Sequence, residues 1–213
     1  MGLPKITPIC SFDDYLAFER GEEDRHEYFD GQIYAMAGES LEHNPICFNL
    51  ATILGSQLRG KPCRGLSPNM KVLSGHYSRG QTQGLFSYPD VTVVCGEPKF
   101  HDERRDVLLN PTVIIEVLSP GTELFDRGVK FHRYRSHLDS LQDFVLVSSQ
   151  YPLVELFQRQ QAGFWLYSAL ADLDARLALP PINCELPLIE LYDRVVFPIN
   201  PHALEVTEEP SQV

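Results

Sequence analysis

Residues 112–147 carry the pattern that decides the fold class. Thr112 to Leu118 and Asp143 to Val147 are apolar runs of strand length, and Thr122 to His137 between them has helical spacing. Strand, helix and strand in that order form a crossover unit, with the two strands parallel. A third strand signal, Asp90 to Cys95, comes just before. The pattern predicts an α/β chain with a central mixed sheet flanked by helices.

The other elements follow from local signals. Ser11 is placed to cap a helix from Phe12 to about Arg20. Asp30-Gly31 turns the chain into a strand from Gln32 to Met36. From about Glu42 to Arg59, Ile46, Leu50, Ile53, Leu54 and Leu58 recur at helical spacing, and Gly60 with Pro62 ends the helix. Asn69 to Ser74 reads as a strand, Gly75 to Ser87 as a loop, and Gly96 to Pro111 as an exposed charged segment. Val154 to Gln158 and Phe164 to Ser168 read as a hairpin, with Trp165 in the core or an interface. Pro187 to Leu191 reads as a last helical turn. With 213 residues and no repeat or low-complexity linker, one domain over 1–213 is expected, its acidic tail frayed from about 201.

Several classes drop out. A hydrophobic content of 43% is too high for a disordered chain, and no run of 18 apolar residues encodes a membrane span. Met1 to Ile6 holds no signal-peptide core; Gly2 fits a myristoylation start, but Ile6 stands where Ser or Thr is needed. The five cysteines are scattered without a CxxC pair, which predicts buried free thiols in a cytoplasmic protein. Gly80 to Gly84 lacks the lysine of a phosphate-binding loop, and no GxSxG surrounds Ser119, which is expected to cap the following helix. His132 and His137 do not share a helix face, and His43-Asn44 reads as a cap of the long helix.

The formal charge of −11 argues at first against a phosphate-bearing partner, but its distribution does not. Residues 13–30 hold eight acids against Arg20 and Arg25, and the tail from 202 holds three acids without a Lys or Arg. Residues 43–89 contain no acid and carry Arg59, Lys61, Arg64, Lys71 and Arg79. Chance with buried strands explains that stretch as well as a surface kept clear for a polyanion does.

The chemistry concentrates mid-chain. Tyr88-Pro89-Asp90 puts a carboxylate at the mouth of an apolar strand, and Glu116 lies inside the next one. Asp126, Lys130 and Tyr134 follow at four-residue intervals on the helix. A charge among Val113, Ile114, Ile115, Val117 and Leu118 is costly unless paired or metal-bound. A strand-end glutamate facing water and a purely structural Glu116–Lys130 pair remain as alternatives.

These residues, in this order, resemble the PD-(D/E)xK nuclease superfamily and, more narrowly, the bacterial Uma-two family of restriction-endonuclease-like proteins. Arg25 to Tyr34, Tyr88 to Val91, Ile115 to Thr122 and Asp126 through Lys130 to Tyr134 carry the resemblance, which spans roughly 10–190. It implies a restriction-endonuclease-like core and an endonuclease acting on DNA. Asp90, Glu116 and the Val117 carbonyl would hold Mg²⁺, with Mn²⁺ as a substitute. Glu27 would orient a water, and Arg59, Lys61, Arg64, Lys71 and Arg79 would meet nucleic acid. Leu118 stands where the superfamily pattern places its lysine, which moves that role to Lys130 with Asp126 holding it. The same departure leaves open a catalytically inactive module that binds nucleic acid or a protein. By analogy with restriction enzymes, a homodimer is expected.

Overall fold

The computed structural model describes residues 9–36 and 41–198. The readings at Gly2 and Ile6 and the tail from 201 lie outside the described residues.

Two sheets and a ribbon organise the chain. The first sheet runs β2 (Gln32–Ala35), β1 (His26–Phe29), β5 (Leu85–Ser87), β4 (Lys71–Ser74), β7 (Val107–Leu108). The second runs β11 (Trp165–Leu170), β10 (Val154–Arg159), β9 (Asp143–Ser148), β8 (Val113–Leu118), β6 (Val91–Cys95), β3 (Cys63–Leu66). β12 (Arg176–Leu179) and β13 (Cys184–Pro187) pair separately. β8 and β9 are parallel, with Val113 opposite Asp143, while β6 is antiparallel to β8. The crossover unit and the mixed sheet are thus present, although the strands divide between two sheets.

Alternation along β8 sorts its residues between two cores. Val113, Ile115 and Val117 pack with Ile46, Leu50, Ile53 and Leu54 of α2 (His43–Gln57) and with the β12–β13 ribbon. Ile114 and Leu118 face the other way, towards Tyr134, Leu138 and Phe144. Glu116 shares that second face. Covering it are α3 (Glu123–Phe125), a π turn (Asp126–Lys130) and α4 (Phe131–His137). Val72 and Leu85 of the first sheet join the same core. Beyond them α1 (Phe12–Glu19) buries Phe12, Tyr15 and Leu16 on Tyr28, Leu73 and Phe86. Ser11 caps α1 in a reciprocal box with Asp14. Asp30 and Gly31, both at positive φ, form the two-residue β1–β2 turn. α5 (Leu188–Leu191) is the last helical turn.

Departures from the sequence reading have local causes. β1, β3, β7, β12 and β13 have two to four residues each, too short for alternation to register. β5 is hidden within the Gly- and Ser-containing segment read as a loop, yet all three of its residues are buried. The helix after Ser119 is not uniform: a π turn interrupts it, and the Ser119 carbonyl, not its hydroxyl, takes the first N–H groups, from Thr122 and Glu123. Trp165 packs half-buried against Phe131 and under Arg159. The expectation of free thiols throughout is corrected, because Cys63 and Cys95 face each other in the β3–β6 register and form a disulfide. A scattered cysteine count cannot see a pairing that strand register makes.

One buried acid sits outside the site. Asp143 at the start of β9 is wholly buried, opposite Gln158 in the β9–β10 register. Burial pushes its carboxyl up to about 6, with the Gln158 side chain opposing. A raised acid stabilises the fold below its ordinary value of 3.8, and that contribution is lost as pH rises through about 6. Asp143→Asn is expected to raise stability at neutral pH by about 1–2 kcal/mol. It should also flatten the pH dependence of the urea midpoint across that interval.

Candidate active site

The site forms where the chain passes from one sheet to the other. β5 ends at Ser87 and β6 begins at Val91, so Tyr88-Pro89-Asp90 is the crossing. Pro89 carries no N–H, which suits a residue that leaves one ladder before joining the next. Glu27 of β1 accepts the Tyr88 N–H at 3.2 Å and ties the crossing to the first sheet. Asp90 ties it to the second: its Oδ2 accepts the Val117 N–H at 2.7 Å. The N–H and C=O of a strand residue point to the same side, so the Val117 carbonyl is directed towards Asp90 as well.

Lys130 closes the cluster from the helical side. Its Nζ lies 3.0 Å from Glu27 Oε1, 3.3 Å from Glu116 Oε1 and 3.0 Å from Asp126 Oδ1. The π turn makes this possible. On an ordinary helix a four-residue step drifts by about 40° around the axis. The wider turn, closed by the Phe131 N–H on the Asp126 carbonyl, offsets that drift and lets Asp126, Lys130 and Tyr134 work on one line. Tyr134 then donates to Glu116 Oε1 at 2.9 Å and meets the Ser87 hydroxyl at 2.8 Å.

The electrostatics are lopsided. Glu27, Glu116, Asp126 and Lys130 are all buried, giving three carboxylates for one ammonium, with Asp90 adjoining. Burial drives the Glu116 carboxyl well above its ordinary value; Lys130 opposes this, while Asp126, Asp90 and Glu27 add to it. Burial opposes the charge on Lys130, but Glu116, Glu27 and Asp126 outweigh it and hold its pKa well up. Burial and Glu116 keep the Tyr134 phenol protonated. A buried cluster with excess negative charge and hard oxygen donors suits a divalent cation.

The site residues expected from sequence do not all come together. Glu27, Glu116 and Lys130 form one cluster with Asp126, and Asp90 adjoins it. The five cations divide. Arg59, Arg64 and Arg79 are exposed. Lys61 is half-buried, with its ammonium on the Asn183 carbonyl. Lys71 is buried, pairs with Asp106 at 3.1 Å and lies over the Tyr88 ring, so its place on a nucleic-acid surface is withdrawn. Charge counting misplaced it because it carries no information about burial. His43, read from sequence as a helix cap and not a ligand, lies in the first turn of α2, and its Nε2 is 3.3 Å from Asp90 Oδ2. Its signal was the His-x₃-Cys spacing with Cys47. Tyr134 was noted only for its spacing, and Ser87 lay in the presumed loop.

Comparison with known proteins gives the family and the fold. The profile of the Uma2 family, described as "Putative restriction endonuclease", matches residues 12–188. The uncharacterized protein slr1290 of Synechocystis sp. is 35% identical over 194 residues, covering 91% of this chain and 95% of its own. A second uncharacterized Synechocystis protein, sll1609, is 30% identical over 171 residues, 80% of this chain and 93% of its own. A crystal structure of a "putative nuclease belonging to DUF820" from Anabaena variabilis superposes with a TM-score of 0.70. It is 18% identical and covers 87% of this chain and 99% of that one, a likeness of fold. Among the described residues no helix is long and apolar enough to cross a membrane.

Proposed function

The chain belongs to the Uma2 family, and on that premise we propose a divalent-metal-dependent endonuclease that hydrolyses phosphodiester bonds of DNA. One observation carries the reading: the buried Glu27, Glu116 and Asp126 carboxylates gather around the single Lys130 ammonium, with Asp90 alongside, a donor set of hard oxygens. Asp90, Glu116 and the Val117 carbonyl are the groups that would hold it. When bound, Mg²⁺ or Mn²⁺ lowers the pKa of a coordinated water and neutralises charge on the scissile phosphate. The protein side chains do the rest. Lys130 offers an ammonium to negative charge developing on the phosphate, and Asp126 keeps it aimed. Tyr134 fixes the Glu116 oxygen, and Glu27 orients the attacking water. The assay is nicking of supercoiled plasmid in a divalent-metal titration by wild type and Asp90→Asn. Metal-dependent nicking lost in the variant supports the reading; equal nicking by both proteins defeats it.

A second reading, a nuclease-fold module that binds nucleic acid or a protein without cutting it, draws on the enclosure of Lys130, buried and held by three carboxylates. Binding without nicking at any metal concentration would favour it.

The electrostatic share of DNA binding falls to Arg59, Arg64 and Arg79. α2 extends roughly 22 Å from His43 to its far end near Arg59, comparable to a duplex diameter. Alanine at all three is expected to weaken DNA affinity and reduce the slope of log K against log salt by about 0.9 per lost phosphate contact. An unchanged slope would show that the duplex lies elsewhere. A homodimer acting across a two-fold duplex is part of the same proposal, and sedimentation equilibrium tests it.

A further inference from the structure

The α2 side of Asp90 carries donors of a different kind. His43 and Cys47 stand one helical turn apart on the face of α2 that meets Asp90. His43 Nε2 is 3.3 Å from Asp90 Oδ2, and Cys47 Sγ is 3.9 Å from the same nitrogen. One ligand atom from each residue can be chosen so that all three lie within 4.8 Å of one another. A tetrahedral ion at ordinary metal–nitrogen, –oxygen and –sulfur lengths sets neighbouring donors about 3.3–3.6 Å apart. Histidine and aspartate already stand at that separation, and a small rotation of Cys47 brings the thiol in. His43 is buried, while Cys47 and Asp90 are partly open, which leaves an approach for the ion.

We propose that His43, Cys47 and Asp90 form a transition-metal site on the α2 side of Asp90, separate from the oxygen-donor position of Asp90, Glu116 and the Val117 carbonyl. The proposal rests on the reading of Asp90 as a metal ligand and adds a zinc-class ion on its α2 side. Mg²⁺ demands oxygen donors and keeps its waters, whereas imidazole with thiolate suits Zn²⁺, Co²⁺ or Fe²⁺. On binding, the metal–sulfur bond forms as the Cys47 thiol proton passes to solvent. The competing arrangement is a hydrogen-bonded chain with no ion in it, since His43 Nδ1 lies 3.4 Å from Cys47 Sγ while Nε2 faces Asp90.

The test is a Co²⁺ titration of the metal-free full chain, without nucleic acid, followed by absorbance. One equivalent should give intense visible d–d bands and a near-ultraviolet sulfur-to-cobalt band. Cys47→Ser should lose the near-ultraviolet band and keep the visible ones. His43→Gln should weaken Co²⁺ binding at least about 10–100-fold. One equivalent of Zn²⁺ should displace cobalt where millimolar Mg²⁺ does not. In the wild type, Zn²⁺ but not Mg²⁺ should protect Cys47 from iodoacetamide, a readout that needs no variant to fold. Cobalt binding without a sulfur band, unchanged in both variants, or a Cys47 that Zn²⁺ leaves unprotected, would overturn the proposal. Failure of the nuclease reading is separable: a sulfur band in a protein that never nicks DNA defeats that reading alone. Nicking with an oxygen-only cobalt spectrum defeats this proposal alone.

Discussion

Glu116→Gln is expected to abolish DNA cleavage while making the protein more stable. The substitution keeps the shape and a hydrogen-bonding oxygen for Tyr134, but removes the charge that would ligate the ion. Cleavage should fall by about 10³-fold, the scale of losing a group that acts on transition-state charge. Stability should move the other way, because burial and three neighbouring carboxylates disfavour the charged form in the fold. An acid whose pKa is raised on folding contributes stability that is fully present below its ordinary value of 4.5 and is lost as pH rises through the raised one. Glutamine avoids that loss, so the neutral-pH gain should be about 1–2 kcal/mol, typical of trading function for stability. Urea unfolding at acid and neutral pH, alongside plasmid nicking, measures both. Lower stability at neutral pH in the variant would mean that the Glu116–Lys130 pair is a net structural asset and that the crowding argument is wrong.

Lys130→Met should move stability the other way. Methionine fills similar volume but leaves Glu27, Glu116 and Asp126 facing one another without a cation. Stranding buried charge in this way is expected to cost about 3–5 kcal/mol at neutral pH. In the wild type the lysine's raised pKa means that its contribution is complete below its ordinary value of 10.5 and disappears only above it. In the variant, acidification protonates the carboxylates, so stability should recover as pH falls. Adding Glu116→Gln should restore part of the loss, and the double-mutant cycle isolates the pairwise coupling. A variant as stable as wild type at neutral pH would place the Lys130 ammonium outside the cluster.

The parts of this arrangement visible in the sequence are those set by local periodicity. Glu116 stood out because a charge interrupts an apolar strand, and Asp126, Lys130 and Tyr134 because they recur at four-residue intervals. The π turn that makes that spacing converge has no mark in residue type beyond Gly128. Glu27 came from family resemblance; nothing in its acidic neighbourhood separates a buried glutamate from a solvated one. His43 owes its place to Asp90 on a distant strand, and Lys71 owes its burial to Asp106 and Tyr88. Such contacts depend on tertiary packing, which single-sequence patterning does not encode.

Placing the cluster at the crossing between the sheets also has a kinetic consequence. Glu27 holds the Tyr88 N–H across 61 residues of chain, and Lys130 reaches both sheets at once. Contacts so distant along the chain carry their loop-closure cost before they repay it, so they belong to the late part of folding. Neither sheet alone assembles the charge cluster. In a growing or partly folded chain Glu27, Glu116 and Lys130 stay apart, and on the proposed reading the cutting centre exists only when both halves have docked.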